Sequence, residues 1–92
     1  MKKRLEEYQT SDLGCAAALI SAGFELVSLD KDRTNPRKVL FNFCGLIGIE
    51  ETANDYWADK LQVKARIYFD NVKMLKNRIH NQPHSLSQVI RI

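Results

Sequence analysis

Six basic side chains are the residues of this chain best suited to act on another molecule: Lys31, Arg33, Arg37, Lys38, Arg66 and Lys73. Arginine and lysine reach phosphate oxygens from a turn or a helix surface without having to be buried. The first four lie within the stretch Asp30-Lys31-Asp32-Arg33-Thr34-Asn35-Pro36-Arg37-Lys38, where Asp30 and Asp32 reduce the local charge to +2. A solvated turn accounts for that stretch equally well. Arg66 and Lys73 share one face of a helix, because seven residues make nearly two full turns. Tyr56, Trp57, Tyr68 and Phe69 stand nearby in sequence. Bases can stack on aromatic rings beside basic groups. These aromatics fall mostly at core spacing, however, and core packing is the first reading.

Other candidate constellations carry less chemistry. His80 and His84 are spaced for a metal on an unbroken helix, but Pro83 lies between them. Glu51, Asp55 and Asp59 form an acidic row, whereas hydrolysis or metal chemistry needs groups that converge in a cleft. Cys15 and Cys44 have no His or basic neighbour in sequence to lower a thiol pKa. With no nucleophile–base pair and no Gly-rich phosphate loop, neither an enzyme, a cofactor nor a metal is expected.

The charge is unevenly placed. Net charge is only +3, yet Lys60, Lys64, Arg66, Lys73, Lys76 and Arg78 against Asp70 leave +5 between residues 60 and 80. Glu50, Glu51, Asp55 and Asp59, with no base among them, give −4 over residues 46–59. Pairing between the two blocks, within one chain or between two, is the plain explanation; a nucleic-acid patch is the other.

The 92 positions make one domain, residues 1–82, followed by a tail, residues 83–92, that could dock on a partner. The chain is 45% apolar and 27% charged, a globular composition. So small a domain has a thin core, and self-association is a common remedy. The two cysteines sit in apolar runs, which suits a reducing compartment, with a Cys15–Cys44 bridge as the alternative. Met1-Lys2-Lys3-Arg4 is followed by Glu6 and Glu7 rather than by an apolar segment. The longest apolar run, Cys15 to Ile20, falls far short of the roughly 20 residues that span a bilayer. A cytoplasmic protein without a membrane partner is expected.

The elements that would position the basic residues can be read in order. Residues 3–9 form an edge strand or an arm. Thr10-Ser11-Asp12 starts a helix over Leu13 to Ala22, with a hydroxyl as cap and an acid in the first turn, and Gly23 ends it. That helix is apolar nearly all round, so it is central in the fold or packed on a second copy. Phe24 to Leu29 and Val39 to Cys44 alternate as the strands of a hairpin, with Asn35-Pro36 in its long polar tip. A second helix covers Ile49 to Asp59 and a third Gln62 to His80. The third carries a core stripe (Leu61, Ala65, Tyr68, Val72, Leu75, Ile79) and, on its far side, Val63, Ile67 and Met74. Two apolar sides predict a homo-oligomer, most simply a dimer, with Val63, Ile67, Met74, Cys15 and Leu19 at the interface. The tail holds Leu86, Val89, Ile90 and Ile92.

The strings Tyr8-Gln9-Thr10-Ser11-Asp12-Leu13, Ala16-Ala17 and Gly23-Phe24-Glu25-Leu26 resemble a family of short bacterial and bacteriophage proteins known only as a domain of unknown function. The likeness continues through Asn35-Pro36-Arg37, Val39, Phe41, Phe43, Asp55-Tyr56-Trp57, Phe69 and Leu75-Lys76, covering about Tyr8 to Ile79. It implies a small α+β domain, often encoded by phages or mobile elements, and no reaction, ligand or catalytic residue. Small phage proteins without enzyme motifs are often nucleic-acid accessories or inhibitors of host defence, which is association rather than physics.

The sequence therefore predicts an α+β domain of helix, β-hairpin, helix and helix, with a short first strand. Its expected role is a non-enzymatic, homo-oligomeric binder of a nucleic acid or nucleotide-like ligand. The alternative is a protein-interaction module such as a phage inhibitor of a host protein.

Overall fold

The step Thr10-Ser11-Asp12 turns a strand into a helix in the computed structural model of the chain, which describes residues 6–35, 37–45 and 47–81. Strand β1 (Glu6–Thr10) enters this step and helix α1 (Leu13–Ser21) leaves it. Asp12 is itself the N-cap, its carboxylate accepting a 2.7 Å hydrogen bond from the Cys15 backbone N–H. Thr10 Oγ1 accepts from the Asp12 N–H at 3.2 Å, so the expected hydroxyl supports the cap and the acid forms it. At the other end Gly23 has φ +109°, the left-handed region open to glycine. Its N–H reaches the Ile20 carbonyl and the Phe24 N–H the Leu19 carbonyl, the paired bonds of a Schellman motif.

Strands β2 (Leu26–Lys31) and β3 (Val39–Gly45) form the expected antiparallel hairpin. β1 pairs antiparallel with the other side of β3, giving the order β1-β3-β2. The register sets Tyr8 opposite Phe43, and both Thr10 and Leu29 opposite Phe41. Period-2 alternation then sends Phe41 and Phe43 to one face, where both are buried, and Asn42 to the other. There Gln9 Nε2 donates to Asn42 Oδ1 at 2.7 Å, and Asn42 Nδ2 donates to Ser28 Oγ at 3.2 Å and Asp30 Oδ2 at 2.6 Å. One face of the sheet is thus a polar row across three strands, and the other belongs to the core.

Helices α2 (Ile49–Trp57) and α3 (Ala65–His80) complete the described residues. The core is built from Cys15, Leu19, Phe41, Phe43, Ile49, Ala53 and Leu75 with the three alanines of α1. α1 packs against α2, α3 and β1, so its all-round apolar surface is consumed within one chain. The result is the α+β architecture the pattern implied, with the first segment an edge strand rather than a free arm.

Three expectations need correction. Cys15 and Leu19 are 0% exposed inside the single chain and offer nothing to a second copy. α3 begins at Ala65 rather than Gln62, because the chain turns back after Trp57: Asp59 has φ +63°, and the Lys60 and Leu61 N–H groups both reach the Asp55 carbonyl. Leu61 and Val63 therefore precede the helix, and the far-side stripe loses its first member. Met74 packs against the core cluster, so of that stripe Ile67 alone is exposed, at 46%. The tail 83–92, with His84, and Pro36 lie outside the described residues. Among the described residues no helix is long and apolar enough to cross a membrane.

Candidate nucleic-acid interface

The rotation of α3 decides which of its side chains meet solvent. Two hydrogen bonds tie it to α1: the Tyr68 hydroxyl donates to the Gly14 carbonyl at 3.4 Å, and Asn71 Nδ2 donates to Ser21 Oγ at 3.0 Å. Ser21 Oγ in turn donates to the Ala17 carbonyl at 2.7 Å, which holds that hydroxyl in place. Leu75 is buried on the same side, with Tyr68, Val72 and Ile79 packed around the core. At about 100° per residue, Arg66, Phe69, Lys73, Lys76 and His80 then fall within one arc of roughly 80°, turned away from Leu75. All five are exposed. The Lys73 ammonium sits over the Phe69 ring, 5.3 Å from its centroid. Asp70 is exposed beside this arc.

The expected pairing of the acidic and basic blocks is not made within the chain: among the described residues no ion pair joins the acids of α2 to the bases of α3. Among the described residues no ion pair compensates the exposed basic flank of α3.

The β2–β3 connection is tied down by its own side chains. Asp32 Oδ1 accepts from the Thr34 N–H and hydroxyl, both at 3.0 Å, and Asn35 Oδ1 accepts from the Arg37 N–H at 3.1 Å. The two bonds from Thr34, helped by the nearby Lys38 charge, hold the Asp32 carboxyl below its usual range. Arg33, Arg37 and Lys38 project from this framework and are exposed. Arg37 and Lys38 line a hollow with Ser11, Leu13, Val39, Phe41 and Ile79, beside the last turn of α3. Arg66 is at the other end of that helix, about 20 Å away along its axis at 1.5 Å per residue. The six basic residues of the sequence reading therefore divide. Lys31 ends β2, Arg33 lies in the connection that follows it, Arg37 and Lys38 stand near the C-terminal end of α3, and Arg66 and Lys73 stand on its outward flank.

The aromatic residues divide as well. Tyr68 is the core-side anchor, whereas Phe69 is 58% and Trp57 59% exposed. Tyr56 and Tyr68 pack against the core as expected, whereas Trp57 and Phe69 do not. The signal was available: Phe69 is six residues before Leu75, about 120° round the helix and off the core stripe. Lys76 and His80 continue the same arc, three and seven residues beyond Lys73.

A second cluster fixes this geometry. Tyr8, Thr10, Asp12, Cys15, Tyr56, Trp57 and Tyr68 converge on the first turn of α1, although they come from β1, α1, α2 and α3. A Cβ on Gly14 would overlap the Tyr56 hydroxyl and stand 3.2 Å from that of Tyr68. Glycine there lets both hydroxyl groups approach the backbone closely. Desolvation, with a hydrogen bond donated to Tyr68, pushes the Tyr56 phenol up to about 12. Burial also raises the Cys15 thiol, and Asp12 adds to it, which makes it a poor nucleophile at neutral pH. Cys15 and Cys44 are both free thiols. The chemistry of this cluster is positioning: hydroxyl groups seat α2 and α3 on the start of α1.

No curated protein and no solved structure matches this chain. A family model does, over residues 5–81, and it covers both the motif around Asp12 and the whole of α3. By that match the chain belongs to the family described as Domain of unknown function (DUF5659).

Proposed function

We propose that this chain is a small non-enzymatic protein that binds nucleic acid along the outward flank of α3. The observation that carries this reading is the exposed run Arg66, Lys73 and Lys76, with His80, on a helix whose other side is locked to α1. Cations presented in a row on a rigid element suit a chain of phosphates better than a single nucleotide, which would need them gathered in a hollow. Arg33, Arg37 and Lys38 on the β2–β3 connection extend the surface past the C-terminal end of the helix. The reduced Cys15 and Cys44 thiols fit a cytoplasmic setting.

The test is binding of labelled DNA and RNA as salt is raised. Three phosphates neutralised by Arg66, Lys73 and Lys76 give a slope of log K against log salt of about −2 to −3. The absence of any complex at low salt, with DNA and with RNA, removes the proposal.

A second reading, docking on protein, is supported by the exposed Val27, Trp57 and Ile67. Val27 borders a hollow with Leu29, Met74, Asn77, Arg78 and Asn81. A phage or mobile-element inhibitor of a host protein belongs to this reading, as does a homodimer seated on Ile67. For the dimer, wild type sediments at twice the chain mass and Ile67→Asp at one; equal sedimentation of the two removes it.

A further inference from the structure

Within the basic flank of α3, one feature is out of place for a surface that only neutralises phosphates. Phe69 is 58% exposed in the middle of it. A phenyl ring gains by leaving water, and charge-only binding to a duplex backbone makes no use of a bare ring. The ring is also oriented. Lys73, four residues on, holds its ammonium 5.3 Å from the ring centroid, a cation–π contact that occupies one face. Arg66, three residues before, and Lys76, seven after, flank it along the same arc. An aromatic ring between cations, backed by a helix that two hydrogen bonds prevent from rolling, has the composition of a stacking platform.

We propose that the partner is single-stranded nucleic acid, with a base stacked on the open face of Phe69 and the adjoining phosphates held by Arg66, Lys73 and Lys76. This rests on the nucleic-acid reading above and narrows it. Single strands present unstacked bases to such a ring, whereas the bases of a duplex are already stacked on each other. Stacking is indifferent to base identity, so the expected preference is for strandedness rather than sequence. The carboxylate of Asp70 beside the arc opposes the phosphates and weakens binding.

The experiment compares fluorescence anisotropy of a labelled oligothymidylate with that of a duplex of equal length, using wild type, Phe69→Leu, Phe69→Trp and Arg66→Ala. Phe69 is exposed, so these variants keep the far-ultraviolet circular dichroism of wild type, which is checked first. The expected result is tighter binding of the single strand and a loss of roughly tenfold in Phe69→Leu, against little change for the duplex. Phe69→Trp retains affinity, and its added indole fluorescence is quenched when the strand binds. Arg66→Ala flattens the salt slope on the single strand by about 0.7. Equal affinity for both forms, with Phe69→Leu unaltered on each, overturns stacking and leaves the broader reading standing. No anisotropy change with either form at low salt overturns both.

Discussion

Helices α1 and α3 make an instructive pair. Both are apolar on more than one side, and by spacing alone both invite a second copy. α1 is short and rich in alanine, and it sits between the sheet and the other two helices, so its central residues are fully buried. α3 is nearly twice as long, yet Leu75 is its one fully buried residue. The difference lies in position rather than composition. An element in the middle of a fold has neighbours on every side, so an all-round apolar surface there is simply core. An element laid on the outside is buried along one stripe, and its other residues are left to water or to a partner.

The contrast can be broken most severely inside α1. Leu19→Ala should destabilise the chain by about 2–5 kcal/mol in urea unfolding, since a buried leucine leaves a cavity. Ile67→Ala on α3 should change stability by no more than about 0.5 kcal/mol. Comparable losses at the two sites would mean that the flank of α3 is covered.

The seam between the helices responds next. Gly14→Ala should cost about 1–3 kcal/mol, because the new methyl group and the Tyr56 hydroxyl overlap. In a Tyr56→Phe background the oxygen is gone and much of that cost should vanish. A double-mutant cycle with no coupling between positions 14 and 56 would show the contact to be unimportant.

A smaller effect separates the seam from the surface by pH. The Tyr56 phenol has its folded pKa raised from 10.0 to about 12, so its contribution is fully present below pH 10. Above that, the unfolded chain ionises first, and stability falls as pH rises towards 12. Tyr56→Phe should flatten this part of the profile, as followed by thermal unfolding in steps from pH 9 to 12. An unchanged slope would place the phenol in water.

The smallest expected effect is on the outward flank. Asp70→Asn removes the acid beside Arg66 and Lys73 and should tighten nucleic-acid binding by about 1.5- to 5-fold at low salt, with stability unchanged. Weaker binding would mean that Asp70 contacts the ligand favourably.

Much of the architecture was legible because it rests on local rules. Alternation located β3, Gly23 marked the end of α1, and steps of three and four found Tyr68, Val72, Leu75 and Ile79. β2 begins two residues later than its pattern, and an irregularity between Leu26 and Ser28 turns Leu26 and Leu29 to the same side. The pattern runs on past the true start of α3 because Leu61 and Val63 continue the apolar rhythm, although the backbone has already turned at Asp59. Periodicity has no record of such a turn. The candidate site was legible only in part. Arg66 and Lys73 were found from their spacing, but Phe69 was assigned to the core with the other aromatics. Cys15 and Leu19 were assigned to an interface because a single helix cannot reveal how many neighbours surround it.

The order of residues by itself determined the sequence of strands and helices, the glycine that ends α1 and the uneven charge, since these depend on contacts within a few positions of the chain. Only the tertiary structure decided that β3 lies between β1 and β2, and that Gly14 receives hydroxyl groups from α2 and α3. It alone decided that α3 is rolled so that Phe69, Arg66 and Lys73 face water. The physical reason is that a helix pattern limits which residues can share a side, whereas the partners available in three dimensions decide which side is buried.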